Sequence, residues 1–141
     1  MAKRPDAKTG SVPDYQSLAS FRYAIRRFLS FSAAAARQSG LSPQQHQALL
    51  AVKGFPSHGV MSVGELAERL DLRHHSAVGL VDRLGRKGLL QRKRDLKDRR
   101  RVHVCLTTQG ERVLERLSGV HCEELRRMGP ELRILLGKLG R

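Results

Sequence analysis

The sequence predicts a mainly α-helical domain carrying one small β-hairpin, and three observations lead there. Apolar residues recur three or four apart over most of the chain. Aromatics make up only 4% and Trp is absent, which suits an aliphatic helical core better than an aromatic-rich sandwich. The helical period gives way to strand-like segments in a single short stretch after Gly88. At 141 residues the chain has the length of one domain.

Residues 1–13 hold Pro, Gly, Ser and Lys without apolar periodicity and read as a flexible basic tail, leaving 14–141 as a single domain. From Asp14 to Ser39, Leu18, Phe21, Ile25, Phe28 and Leu29 fall at helical spacing, and Gly40 is placed to stop the helix. Ser42, Pro43 and Gln45 form a capping box with Pro at the first helical position, opening a helix to about Lys53. Ser62 and Glu65 make a second box, followed by Val63, Leu66, Ala67 and Leu70 on one face of a two- to three-turn helix.

Asp71-Leu72-Arg73 then forms a brief turn, with Leu72 dropping toward the core. A helix from His74 to about Lys87 buries Val78, Val81 and Leu84 and stops at Gly88. Two short helices joined so tightly have the dimensions of a helix-turn-helix. Leu89–Lys93 and Arg101–Leu106 read as strands around a charged connection, Arg94–Arg100, which makes a hairpin wing.

Thr107 or Thr108 caps a long helix, with Thr108 and Glu111 at capping-box spacing. Val113, Leu114, Leu117, Val120, Leu125 and Met128 stripe it. Gly129-Pro130 is expected to break it, leaving one more short helix around Leu132, Leu135, Leu136 and Leu139. The expected architecture is a winged helix-turn-helix over about 60–107, plus N- and C-terminal helices at about 14–40 and 108–141. Those flanking helices have no role in the winged unit. Their surplus apolar stripes call for a partner, so they are expected to be dimerisation helices of a homodimer.

Charge narrows the function. Lys and Arg number 27 against 13 Asp and Glu, a formal +14, which points to a polyanionic partner. The excess is concentrated. Between Arg83 and Arg101 ten basic residues face only Asp95 and Asp98, and this stretch overlaps the second helix and the hairpin. No apolar run approaches the roughly 20 residues of a membrane span. The basic start (Lys3, Arg4, Lys8) lacks a signal peptide's apolar core, so a cytoplasmic location is expected.

Nucleophile motifs, phosphate loops and metal triads are not found, so neither an enzyme nor a cofactor is expected. The histidines show no structural-zinc spacing, and His74 and His75 point apart on a helix. Cys105 and Cys122 are expected to be reduced, with Cys122 a buried inert thiol rather than one activated by Arg126.

The second helix should enter the major groove by its N-terminal part, with Arg73, His74, His75, Ser76, Gly79, Leu80 and Arg83 outward. Arg73 is within reach of guanine O6/N7, and His75 and Ser76 of base edges or phosphate. Gly79 costs about 1 kcal/mol of helix stability relative to Ala. Close backbone approach to DNA and simple tolerance both account for it. Arg86, Arg92, Lys93 and Arg94 are candidate phosphate contacts.

These segments resemble the core of the MarR family of winged-helix regulators. The resemblance rests on Leu66-Ala67-Glu68-Arg69-Leu70, Val81-Asp82-Arg83-Leu84, Lys87-Gly88-Leu89-Leu90-Gln91-Arg92, Asp98-Arg99-Arg100, Val102 to Thr107, and Gly110. It implies a triangular homodimer with interlocked first and last helices, regulating transcription from a pseudo-palindromic operator, most simply as a repressor.

The resemblance also implies that Arg100 reaches into the minor groove while Asp98 orients its guanidinium, within a wing of Lys97, Asp98, Arg99 and Arg100. A narrow minor groove favours an inserted Arg. The family's release by small aromatic or anionic compounds implies a crevice near Phe21, Arg22, Phe28, Phe31 and His46. The plainer reading makes the phenylalanines core and His46 a helix-surface residue. The alternative functions are a basic architectural DNA-binding protein and an RNA-binding protein, each without an operator. Against RNA, the few aromatics lie mostly in the first helix, away from the basic segment.

Overall fold

The structure, a computed structural model, describes residues 12–56, 60–98 and 100–140. The elements run α1 (Tyr15–Gln38), α2 (Pro43–Lys53), β1 (Met61–Ser62), α3 (Val63–Arg69), α4 (His74–Arg86), β2 (Leu90–Arg94), β3 (Val102–Leu106) and α5 (Thr108–Leu139). Most of the expected tail, residues 1–11, lies outside the described residues. Among the described residues no helix is long and apolar enough to cross a membrane.

The helix starts follow the capping chemistry. Ser42 and Ser62 accept from the backbone of Gln45 and Glu65, whose side chains accept from the serine backbone in return. Gly40 (φ 77°) and Gly88 (φ 73°) occupy the left-handed region that ends α1 and α4, conformations that disfavour any side chain. Asp71, at φ 54°, takes the same region in the turn between α3 and α4.

Two expectations about α5 need correction. Its cap is Thr107, whose hydroxyl accepts from Gly110 N–H at 3.0 Å and donates to the Gly88 carbonyl. Glu111 is not part of a box with Thr108; it reaches across to Lys53 at 2.8 Å. Nor does Pro130 end the helix, which continues to Leu139. A mid-helix Pro loses one backbone hydrogen bond and costs about 3 kcal/mol in isolation, but tertiary packing opposes that. α1 and α5 lie antiparallel, since Ser32 meets His121 and Asp14 lies near Lys138. Beyond Pro130, Leu135 is buried and Leu132 half-buried.

The sheet is three-stranded and antiparallel in the order β1-β3-β2, so the expected hairpin gains a strand that the sequence reading lacks. Met61 pairs with Val104, and Leu90 with Leu106. One core joins Leu49, Val52, Met61, Leu66, Leu80, Leu84, Val104, Leu114 and Leu117, all nearly inaccessible. It lies between the short helices, the sheet and the first half of α5. That core holds α4 and the hairpin in one lobe.

Candidate nucleic-acid interface

Four buried residues set the roll of α4. Ala77, Leu80, Val81 and Leu84 face the core. At 3.6 residues per turn, His75, Gly79 and Arg86 then point directly away, with Ser76 and Arg83 on one flank. Leu80 therefore does not belong to the outward face assigned to it. It lies three residues after Ala77 and four before Leu84, on the core stripe. Val78 is half-buried at the edge of that stripe rather than inside it. Arg73, His74 and His75 are exposed where α4 begins.

The start of α4 has a second distinction. α1, α2, α3 and α5 each receive a side-chain N-cap, from Asp14, Ser42, Ser62 and Thr107. α4 has Arg73 at that position and no side-chain cap. Its first-turn amides and the positive end of its dipole stay open beside basic side chains, an arrangement suited to a phosphate. Sequence reasoning missed this, although Arg at an N-cap position was the signal.

In the wing, Asp98 Oδ1 accepts from the Arg100 backbone N–H at 3.1 Å and from its Nε at 3.4 Å. The Arg100 side chain is nonetheless 93% exposed, so the carboxylate steers it without covering it. Arg99 lies outside the described residues. Lys97 is exposed, and its backbone N–H donates to Asp95 at 2.8 Å.

Asp95 also meets His103 Nε2 at 3.0 Å, tying the start of the wing to β3. That His103 hydrogen bond, then the Lys97 amide, pulls the Asp95 carboxyl down to about 2. The Asp95–His103 tie was not legible, because its partners are eight residues apart across the hairpin.

The phosphate candidates divide. Arg86 is exposed on the outward face of α4. Strand pairing sets Arg92 opposite Val104 and Arg94 opposite Val102, while Lys93 stands opposite His103. Alternation therefore turns Lys93 to the other face of the hairpin from Arg92 and Arg94. Arg92 is also held by Asp82 of α4 at 2.7 Å, so it braces helix against wing and has less charge to offer outward.

A separate cavity of about 310 Å³ opens between α1, α2 and α5. Of the predicted crevice residues, Phe28 and His46 line it, while Phe21, Arg22 and Phe31 do not. His46 is buried rather than on a helix surface, because its ring packs 4.8 Å from that of His121. Phe28 and Phe31 meet His121 edge-on.

His121 Nδ1 donates to the Leu117 carbonyl at 2.6 Å, and its Nε2 hydrogen-bonds the Ser32 hydroxyl at 2.7 Å. His46 Nδ1 is buried without a partner among the described residues. Burial, then the neighbouring His121, lowers the His46 pKa. Cys122 is exposed and lines the same cavity, so it is not the buried thiol expected, whereas Cys105 is half-buried on β3. His121 and Ser32 escaped the sequence reading because only the antiparallel packing of α1 and α5 joins them.

A helix-turn-helix with an attached hairpin, its outward surface basic on both parts, is a winged helix-turn-helix lobe. A family model described as "MarR family" matches residues 39–101. The HTH-type transcriptional repressor MdtR of Bacillus subtilis is 32% identical over 74 residues, 52% of this chain and 46% of MdtR. The uncharacterized HTH-type regulator YcgE of Bacillus subtilis is 34% identical over 97 residues, covering 69% of this chain and 61% of YcgE.

In fold, the chain is similar to a mutant of S. aureus MepR bound to an oligodeoxyribonucleotide. The TM-score is 0.68 at 23% identity, over 89% of this chain and 97% of that one. Over residues 39–101 the chain is similar to the MarR family. It spans about half the length of the first two curated relatives it matches.

Proposed function

We propose that the protein is a sequence-specific double-stranded DNA-binding transcription regulator, acting as a homodimeric repressor on a pseudo-palindromic operator. The carrying observation is the pairing of an α4 N-terminus that is basic and lacks a side-chain cap with an Asp98-steered, solvent-projecting Arg100 on one lobe. α4 docks in the major groove and Arg100 in the flanking minor groove. MdtR's naming as a repressor and MepR's bound oligodeoxyribonucleotide support the reading.

Dimerisation is supported by apolar side chains on α1 and α5 that this chain alone does not cover, among them Leu29 and Ile134, each 60% exposed. An effector, where one acts, enters the α1–α2–α5 cavity. Phe28, Leu29, Leu50 and Leu125 line it with the polar Ser32, Gln47, Ser118 and Cys122 and the rings of His46 and His121, and among the described residues no Lys, Arg, Asp or Glu contributes. That favours an uncharged aromatic compound over an anion.

The test is selection of random duplexes by the purified protein, with winners titrated at several salt concentrations. A palindromic winner with half-sites about one helical turn apart and steep salt dependence is expected. Binding of all duplexes alike would instead establish the architectural reading, and preference for structured RNA the RNA-binding one.

A further inference from the structure

Gly79 stands at the centre of α4's outward face, and nothing among the described residues requires a glycine there. Its backbone is not in the left-handed region, and a Cβ built on it would meet only the Arg83 guanidinium, 3.6 Å away. Gly110 shows the contrast, since a Cβ there would overlap the Leu89 carbonyl. Open space alone says little, because Gly119, Gly129 and Gly137 on α5 are also free of neighbours.

Arg83 singles out Gly79. Although Gly79 points away from the core, it is half-buried, because the Arg83 side chain lies back across the bare backbone. Arg83 is itself exposed and belongs to no ion pair among the described residues, unlike Arg92 and Arg100. The face that reads DNA thus carries a notch one methyl group deep, flanked by His75, Ser76 and Arg86, with an uncommitted guanidinium over it.

We infer that Gly79 sets how deeply α4 seats in the major groove, and that Arg83, lying in the notch, is the principal base-reading cation of the helix. This rests on the DNA-binding function proposed above. With no side chain at 79, the backbone approaches the base edges by about the depth of a methyl group. A guanidinium lying along the helix can then present its two-pronged edge to guanine O6 and N7. Depth matters because hydrogen bonds to base edges weaken steeply beyond their normal length, whereas contacts to phosphates on the groove rim tolerate a small displacement. Gly79 acts through position and Arg83 by contact.

The experiment compares wild type, Gly79→Ala and Arg83→Ala on the duplex that the wild-type protein selects and on a scrambled duplex of equal length. Melting midpoints are measured in parallel. Gly79→Ala should melt about 3 °C higher, since Ala is the better helix former and its methyl has room. It should bind the selected duplex at least tenfold more weakly, yet the scrambled duplex within about twofold of wild type. Arg83→Ala should lose discrimination between the two duplexes.

Wild-type affinity of Gly79→Ala for the selected duplex would make the glycine a tolerated one and overturn the inference. Equal losses on both duplexes, or a lower melting midpoint, would overturn it too, by showing that residue 79 serves the lobe's own structure. Full discrimination by Arg83→Ala would remove Arg83 from readout. Should wild type select no duplex, the DNA-reading function itself fails and this inference with it.

Discussion

Truncating Arg100 to Ala separates the wing's role in binding from any role in folding. The side chain is 93% exposed and its nearest ionic partner is Asp98, reached by Nε at 3.4 Å. Removing it leaves the Asp98 carboxylate still accepting the backbone N–H of residue 100 at 3.1 Å, so the turn survives. Surface substitutions of this kind change stability by about 0.5 kcal/mol or less.

Binding should respond far more. Loss of one groove-inserted Arg costs about 1–2 kcal/mol, and a dimer loses two, so about 2–4 kcal/mol or roughly 30- to 700-fold in Kd is expected. Each lost charge also removes about 0.9 from the slope of log K against log salt, about 1.8 for the dimer. Fluorescence anisotropy with the selected duplex, between about 50 and 200 mM salt, reads both quantities. Unchanged affinity, or a weakened affinity with an unchanged slope, would refute the assignment of Arg100 as an inserted cation. A melting midpoint lowered by many degrees would show that the wing turn depends on the side chain.

Three further outcomes follow from the geometry. Burial and the adjacent His121 hold His46 below its usual 6.5, so the folded state favours the neutral ring. Stability from this source is therefore complete above about pH 6.5 and declines as pH falls below it. His46→Leu should flatten the drop in melting midpoint between about pH 7.5 and 5.5; an identical drop would dissociate His46 from it.

Leu29→Glu combined with Ile134→Glu should leave the helical circular dichroism spectrum intact while halving the mass seen by light scattering, because both side chains are 60% exposed in the single chain. An unchanged dimer mass would place the interface elsewhere. Gly110→Ala should destabilise by about 2 kcal/mol or more, since the new methyl overlaps the Leu89 carbonyl. A melting curve matching wild type would contradict the tight approach of α5 to the Leu89 carbonyl.

What could be read from the chain was the chemistry that acts over three or four residues. Ser42–Gln45 and Ser62–Glu65 are self-contained hydrogen-bond exchanges, so the starts of α2 and α3 were legible without a fold. The Asp98–Arg100 contact spans only two residues, but it was expected from the family resemblance rather than from spacing. Leu80 was misplaced because the roll of a short helix depends on which neighbours cover it. Here α3 and the sheet do so.

Tertiary structure decided the remainder, for reasons of distance along the chain. The two-residue β1 exists only because Met61 finds Val104 on β3. Pro130 reads locally as a helix stop, but packing beyond the proline carries α5 through to Leu139. His46, Ser32 and His121 meet across three helices. Arg92 is diverted to Asp82, and Asp95 to His103, by pairings that no spacing rule announces. By itself the sequence determined where α2 and α3 start and where the turns and the wing fall, because those are set by local hydrogen bonding and apolar period. The tertiary structure alone decided which charges are spent inside the lobe and which, like Arg83 and Arg100, remain turned outward, because that depends on which side chains long-range packing brings within reach.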